Sequence, residues 1–97
     1  MTGSGTIELP RVGGPGTGHD DRWRVIVLND DHNTFEGVAA TLSRVLPGVS
    51  YDAGMKLANQ IHNSGRAIVW SGHQEPAEHY WELLSDAGLT MAPLEQG

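Results

Sequence analysis

Cysteine is absent from the 97-residue chain, which excludes disulfides and thiolate metal sites. Cationic residues are scarce: six Lys and Arg stand against twelve Asp and Glu, for a formal charge of −6 with His neutral. A chain of that sign repels phosphate backbones, and its few basic residues are scattered, so nucleic-acid binding is not expected. Long hydrophobic runs are missing too. The longest, Val25–Ile26–Val27–Leu28, has strand length, far short of the ~20 residues that span a bilayer. The N-terminus has no charged segment leading into an apolar one, so no secretory signal is expected. G-x-S-x-G, H-E-x-x-H and the P-loop pattern are likewise missing, which turns the reading away from an enzyme and towards a ligand-binding protein. The expectation is a soluble, cytoplasmic chain with one modest core, which a length of ~100 residues supports without staples.

What is present falls into two parts. Residues 1–22 carry Gly3, Gly5, Gly13, Gly14, Gly16 and Gly18 with Pro10 and Pro15 between them. Such a stretch buries too little to offset ordering entropy and reads as a flexible tail. Residues 23–97 read as the core domain. Trp23 to Leu28 is β-branched and aromatic-rich, a strand ended by Asn29–Asp30–Asp31. Asn33 reads as the N-cap of a first helix, with Glu36 as capping-box partner and Phe35, Val38, Leu42 and Val45–Leu46 at helical spacing. Pro47–Gly48 stops it. Ser50 reads as the cap of a second helix, with Ala53, Leu57, Ala58 and Ile61 on one face and Gly65 closing it. A strand over Arg66 to Trp70 follows, broken at Ser71–Gly72. Pro76 suits the first turn of a third helix, which carries Ala77, Tyr80–Trp81 and Leu84 and ends at Gly88. Leu89 to Leu94 reads as a last strand, with Pro93 placing it at an edge or near its end. The order β-α-α-β-α-β describes an α+β fold, a two-layer α/β sandwich with a three-stranded antiparallel sheet.

The densest polar cluster is Asn29–Asp30–Asp31–His32–Asn33, between a strand and a helix. By itself it reads as an ordinary turn, since Asn and Asp side chains bond nearby backbone. His62, late in the second helix, reads by itself as a partly exposed, satisfied histidine. Neighbouring carboxylates at the end of a strand point apart, so Asp30 and Asp31 do not form an acid/base pair. Five histidines invite a metal, but no pair has the one-turn spacing that presents two ligands on one helix face: His73 and His79 are six apart, and His19 lies in the tail. No metal or other cofactor is expected.

Taken together, Leu28–Asn29–Asp30–Asp31, Ile61–His62–x–x–Gly65–Arg66–Ala67 and a final Pro93–Leu94–Glu95 resemble the ClpS family, the N-degron adaptors of the bacterial and plastid Clp protease. The resemblance covers Trp23 to about Gln96 and includes the preceding tail. It implies an adaptor that binds peptides or proteins with a bulky hydrophobic first residue and delivers them to a Clp AAA+ unfoldase, of ClpA or ClpC type. On matching positions it implies that Asn29, Asp30 and His62 contact the peptide's α-amine. Asp31, Asn33, Phe35, Val38, Ala58 and Ile61 would line or border the side-chain pocket, and Glu75 and Glu78 would face the unfoldase. The family's common Tyr-Thr-Pro-Met is here His32–Asn33–Thr34–Phe35, a Met common in the second helix is Ala58, and a family lysine is Tyr80. Thr90 is left unassigned.

The residue types suit that task. An α-ammonium offers three donors and one positive charge, and a carboxylate, an amide oxygen and a neutral imidazole offer three acceptors. An acetylated terminus or an internal peptide bond leaves such buried acceptors unpaired, at about 1–3 kcal/mol each. The competing reading is an interaction module of the same fold that docks on a larger complex without reading an amine. The C-terminal domain of the ribosomal stalk protein is its fold-level analogue.

Overall fold

The computed structural model describes residues 11–12 and 22–97. Along the chain run β1 (Arg11–Val12), β2 (Trp23–Leu28), α1 (Phe35–Val45), α2 (Tyr51–Ser64), β3 (Arg66–Gly72), α3 (Gln74–Asp86) and β4 (Leu94–Gln96). From β2 onward the order is the expected β-α-α-β-α-β. β2 is central and antiparallel to both β3 and β4, which makes the three-stranded antiparallel sheet of the α+β sandwich. Beyond it, β1 pairs parallel to β4, Arg11 opposite Leu94 and Val12 opposite Glu95, so the full order is β1-β4-β2-β3. The flexible tail expected over residues 1–22 otherwise lies outside the described residues, Arg22 excepted.

The core follows from the alternation of β2. Trp23, Val25 and Val27 are buried, together with Ala67 and Val69 of β3 and Leu94 of β4. Leu42 of α1, Ala58 and Ile61 of α2, and Ala77 and Leu84 of α3 close over them. The β2–β3 register shifts between Val25 and Ile26, where Val25 faces Trp70 and Ile26 faces Ile68. Val69 is thus the extra residue of a bulge.

Caps divide the chain into its helices. Ser50 accepts a hydrogen bond from the Ala53 backbone N–H, as expected. Gly65 closes α2 at φ 88°, a left-handed conformation that glycine adopts without strain. Three expectations need correction. The N-cap of α1 is Thr34, whose hydroxyl accepts from the Gly37 N–H, and not Asn33. The backbone N–H and side-chain amide of Asn33 are both held by Asp30, which leaves the cap to the next residue. The last strand is Leu94–Gln96 rather than residues 89–94. Pro93 has no N–H to offer, so before it only an isolated bridge joins Met91 to Val27, and the ladder resumes at Leu94. β3 also runs through Ser71–Gly72, where a break was expected.

One close approach sets the frame of the site. A Cβ at Gly54 on α2 would lie 2.7 Å from the Ala39 carbonyl oxygen on α1. The missing side chain therefore lets the two backbones nearly touch, and it brings Phe35 and Val38 of α1 opposite Ala58 and Ile61 of α2.

Candidate functional site

A cleft of about 380 Å³ opens where β2 ends. All nine residues expected to bind an amine or a side chain line it: Asn29, Asp30, Asp31, Asn33, Phe35, Val38, Ala58, Ile61 and His62. Val27, Leu28, Thr34 and Leu89 complete its wall. Glu75 and Glu78 stand elsewhere, in the first turns of α3, where Glu78 accepts from the Gln74 side chain at 3.1 Å. Among the described residues no group of three or more His, Asp or Glu could hold a metal, and no helix is long and apolar enough to cross a membrane.

The polar end is built by one carboxylate. Asp30 Oδ1 accepts from the backbone N–H of His32 at 3.0 Å and of Asn33 at 2.8 Å. Its Oδ2 accepts from Asn33 Nδ2 at 2.8 Å and from the Thr90 hydroxyl at 2.7 Å. The Asp30 side chain is only 12 % exposed. Burial alone pushes its carboxyl up, but the donors of Asn33, Thr90 and His32 outweigh burial and hold it well below the usual carboxylate range. Those four donors fill the roughly four lone-pair directions of a carboxylate. Asp30 is therefore a fixed negative charge that also shapes the turn. Asn33 uses its second amide hydrogen on the Gly88 carbonyl at 2.9 Å, tying the turn to the end of α3.

The neighbouring polar groups are arranged differently. The Asn29 backbone N–H donates to the Gly65 carbonyl at 2.9 Å. That bond pins the start of the turn to the end of α2, three residues past His62. No hydrogen bond among the described residues uses the side chains of Asn29, Asp31 or His62. The His62 ring lies against Phe35, with centroids 5.1 Å apart and planes tilted by 59°. This contact joins the polar end to the apolar wall of Phe35, Val38, Ala58, Ile61 and Leu89. Leu89 was missed in the sequence, and Thr90 was left unassigned. Their segment reaches the site from 60 residues away, and only the apolar character of Leu89 next to Gly88 hinted that it was buried.

The arrangement offers a negative charge, unused acceptors and an adjoining apolar recess. The family model for the ATP-dependent Clp protease adaptor protein ClpS matches residues 18–95. The chain belongs to the ClpS family. The ClpS adapter protein of Thermosynechococcus vestitus is 56 % identical over 77 residues, covering 79 % of this chain and 82 % of that protein. The ClpS adapter of a Nostoc species is 58 % identical over 73 residues, covering 75 % of each. Among solved structures, Agrobacterium tumefaciens ClpS2 bound to L-phenylalaninamide superposes with a TM-score of 0.67 at 26 % identity, covering 81 % of this chain and 100 % of that one. This ClpS chain thus belongs among the adaptors of the ATP-dependent Clp protease.

Proposed function

We propose that this adaptor reads the free α-amine and the bulky hydrophobic first side chain of N-degron substrates, and delivers them to a Clp AAA+ unfoldase of ClpA or ClpC type. The observation that carries the reading is the cleft itself, with Asn29, Asp30, Asp31 and His62 at one end of an apolar wall. L-Phenylalaninamide, the ligand of the similar Agrobacterium protein, has the two features such a cleft would grip: a free amine and an aromatic side chain. The Asn29 amide oxygen and the His62 imidazole supply neutral acceptors to the ammonium. Asp30 supplies a part-buried charge beside it, and Asp31 a second charge at the rim. Phe35, Val38, Ala58, Ile61 and Leu89 surround the side chain, with Asn33 at their border. Glu75, exposed at the start of α3, and Glu78 one turn on are the proposed contacts with the unfoldase.

Titration of Phe- and Leu-initiated peptides, each free and N-acetylated, tests the reading. The free peptides should bind at least tenfold more tightly, the effect of losing about 1.4 kcal/mol or more of paired acceptors. Equal binding of both forms would refute amine recognition and favour a docking module of the same fold.

A further inference from the structure

Thr90 does not line the cleft, yet its hydroxyl makes the shortest hydrogen bond to the carboxylate that organises it. Backbone contacts hold it there independently of its side chain. The Leu28 N–H donates to the Thr90 carbonyl at 2.8 Å, and the Ala92 N–H donates to the Ile26 carbonyl at 3.0 Å. The stretch from residue 90 to residue 92 thus runs beside β2 as a strand would, bridged at Met91 to Val27, and aims the hydroxyl at Asp30 Oδ2. The same oxygen accepts from Asn33 Nδ2, whose other hydrogen goes to Gly88. Two donors from the far end of the chain and its partner turn therefore meet on one carboxylate oxygen.

We propose that Thr90 is a positioning residue for recognition of the N-terminal amine: it fixes the Asp30 carboxylate, and through it the turn from Asn29 to Asn33, without touching the peptide. The inference rests on the amine-reading function above. Its physical content is orientation. A carboxylate rotates readily about its terminal torsion. With a methyl in place of the hydroxyl, Oδ2 loses one of its two donors and faces an apolar group, so the carboxylate turns and pulls the Asn33 amide with it. The acceptors of Asn29 and His62 then no longer converge with the Asp30 charge on a single ammonium. Because the backbone of the segment is anchored by its own bonds, the change leaves the fold in place.

The test compares the native protein, Thr90→Val and Thr90→Ser by calorimetry with Phe-initiated peptides, free and N-acetylated, alongside thermal melts. Thr90→Val should weaken the free peptide about fivefold, the effect of one hydrogen bond, and leave the acetylated one unchanged. The ratio between the two therefore narrows. Thr90→Ser, which keeps the hydroxyl, should restore the native ratio. Native affinity in Thr90→Val, equal weakening in Thr90→Val and Thr90→Ser, or parallel loss of both peptides would overturn the inference. Should Thr90→Val not fold, Thr90→Ala provides the same reading without a branched side chain, and loss of fold in both makes the hydroxyl purely structural and ends the proposal. A native protein that ignores acetylation would instead refute the proposed function itself, so the two failures are distinguishable.

Discussion

The two ends of the cleft are made rigid by different means. The polar end, residues 29 to 33, is held by hydrogen bonds that converge on Asp30. The apolar end is held by the near-contact of two helix backbones at Gly54 and Ala39. The first is directional and fails when one donor or acceptor is lost. The second is steric and fails when volume is added. If the proposed reading holds, the charged amine meets fixed acceptors and the first side chain a fixed gap, each supplied by the matching force.

Asp30→Ala should break that contrast most severely. It leaves the backbone N–H groups of His32 and Asn33 and the Thr90 hydroxyl without their acceptor, and should destabilise the fold by about 3 kcal/mol. Asp31→Ala, one residue along and exposed, should change stability by less than about 0.5 kcal/mol while still weakening free-amine peptides. Urea unfolding of the two variants checks the difference, and equal losses would erase it. Acid sharpens the same point. The Asp30 carboxyl is held low in the folded state, so its contribution is fully present above its unfolded value of about 3.9. It is lost only as pH falls below that value towards the folded one. Native stability should therefore drop more steeply below about pH 4 than that of Asp30→Asn.

Next in size is Gly54→Ala. The added methyl meets the Ala39 backbone, and overpacking of this kind costs about 1–3 kcal/mol. The helices must part, so affinity for first side chains should change while the ratio between free and acetylated peptides stays. A variant with native melting temperature and native affinities would show that the gap does not depend on this approach.

The smallest effects belong to the wall itself. Phe35→Met and Ala58→Met exchange one rigid ring and one small residue for flexible side chains, and shape selection in an apolar pocket is limited to about 1–3 kcal/mol per misfit. The Phe35 ring already packs at a tilt against His62, so an aromatic first residue is the expected favourite of the native protein. Both variants and the double mutant should broaden the ranking of Leu-, Phe-, Tyr- and Trp-initiated peptides in binding assays. An identical ranking in all four proteins would remove these residues from specificity.

How far the sequence could be read follows the same division. The turn was legible because Asn and Asp act locally, and the helices were legible from their apolar spacing and from Ser50 and Gly65. The cap of α1 was misplaced because Asn33 and Thr34 are both competent caps, and the choice is made by Asp30 and by a carbonyl 55 residues away. The last strand was placed too early because its apolar pattern begins at Leu89, while ladder pairing waits until Pro93 has passed. Thr90 stayed unassigned for a related reason: nothing within its own segment indicates which carboxylate it will meet. Membership of the cleft could be carried residue by residue from motif to motif. The bonding within it could not, because it depends on contacts between segments distant in sequence.

The amide of Asn33 has a consequence of another kind. Both of its hydrogens are committed, one to Asp30 and one to the Gly88 carbonyl. Hydrolysis of that amide to aspartate would keep the shape of the side chain while setting an oxygen in place of its nitrogen, opposite both the Asp30 carboxylate and the Gly88 carbonyl, with no proton to share among them. Chemical ageing at this single nitrogen would thus undo the turn from within.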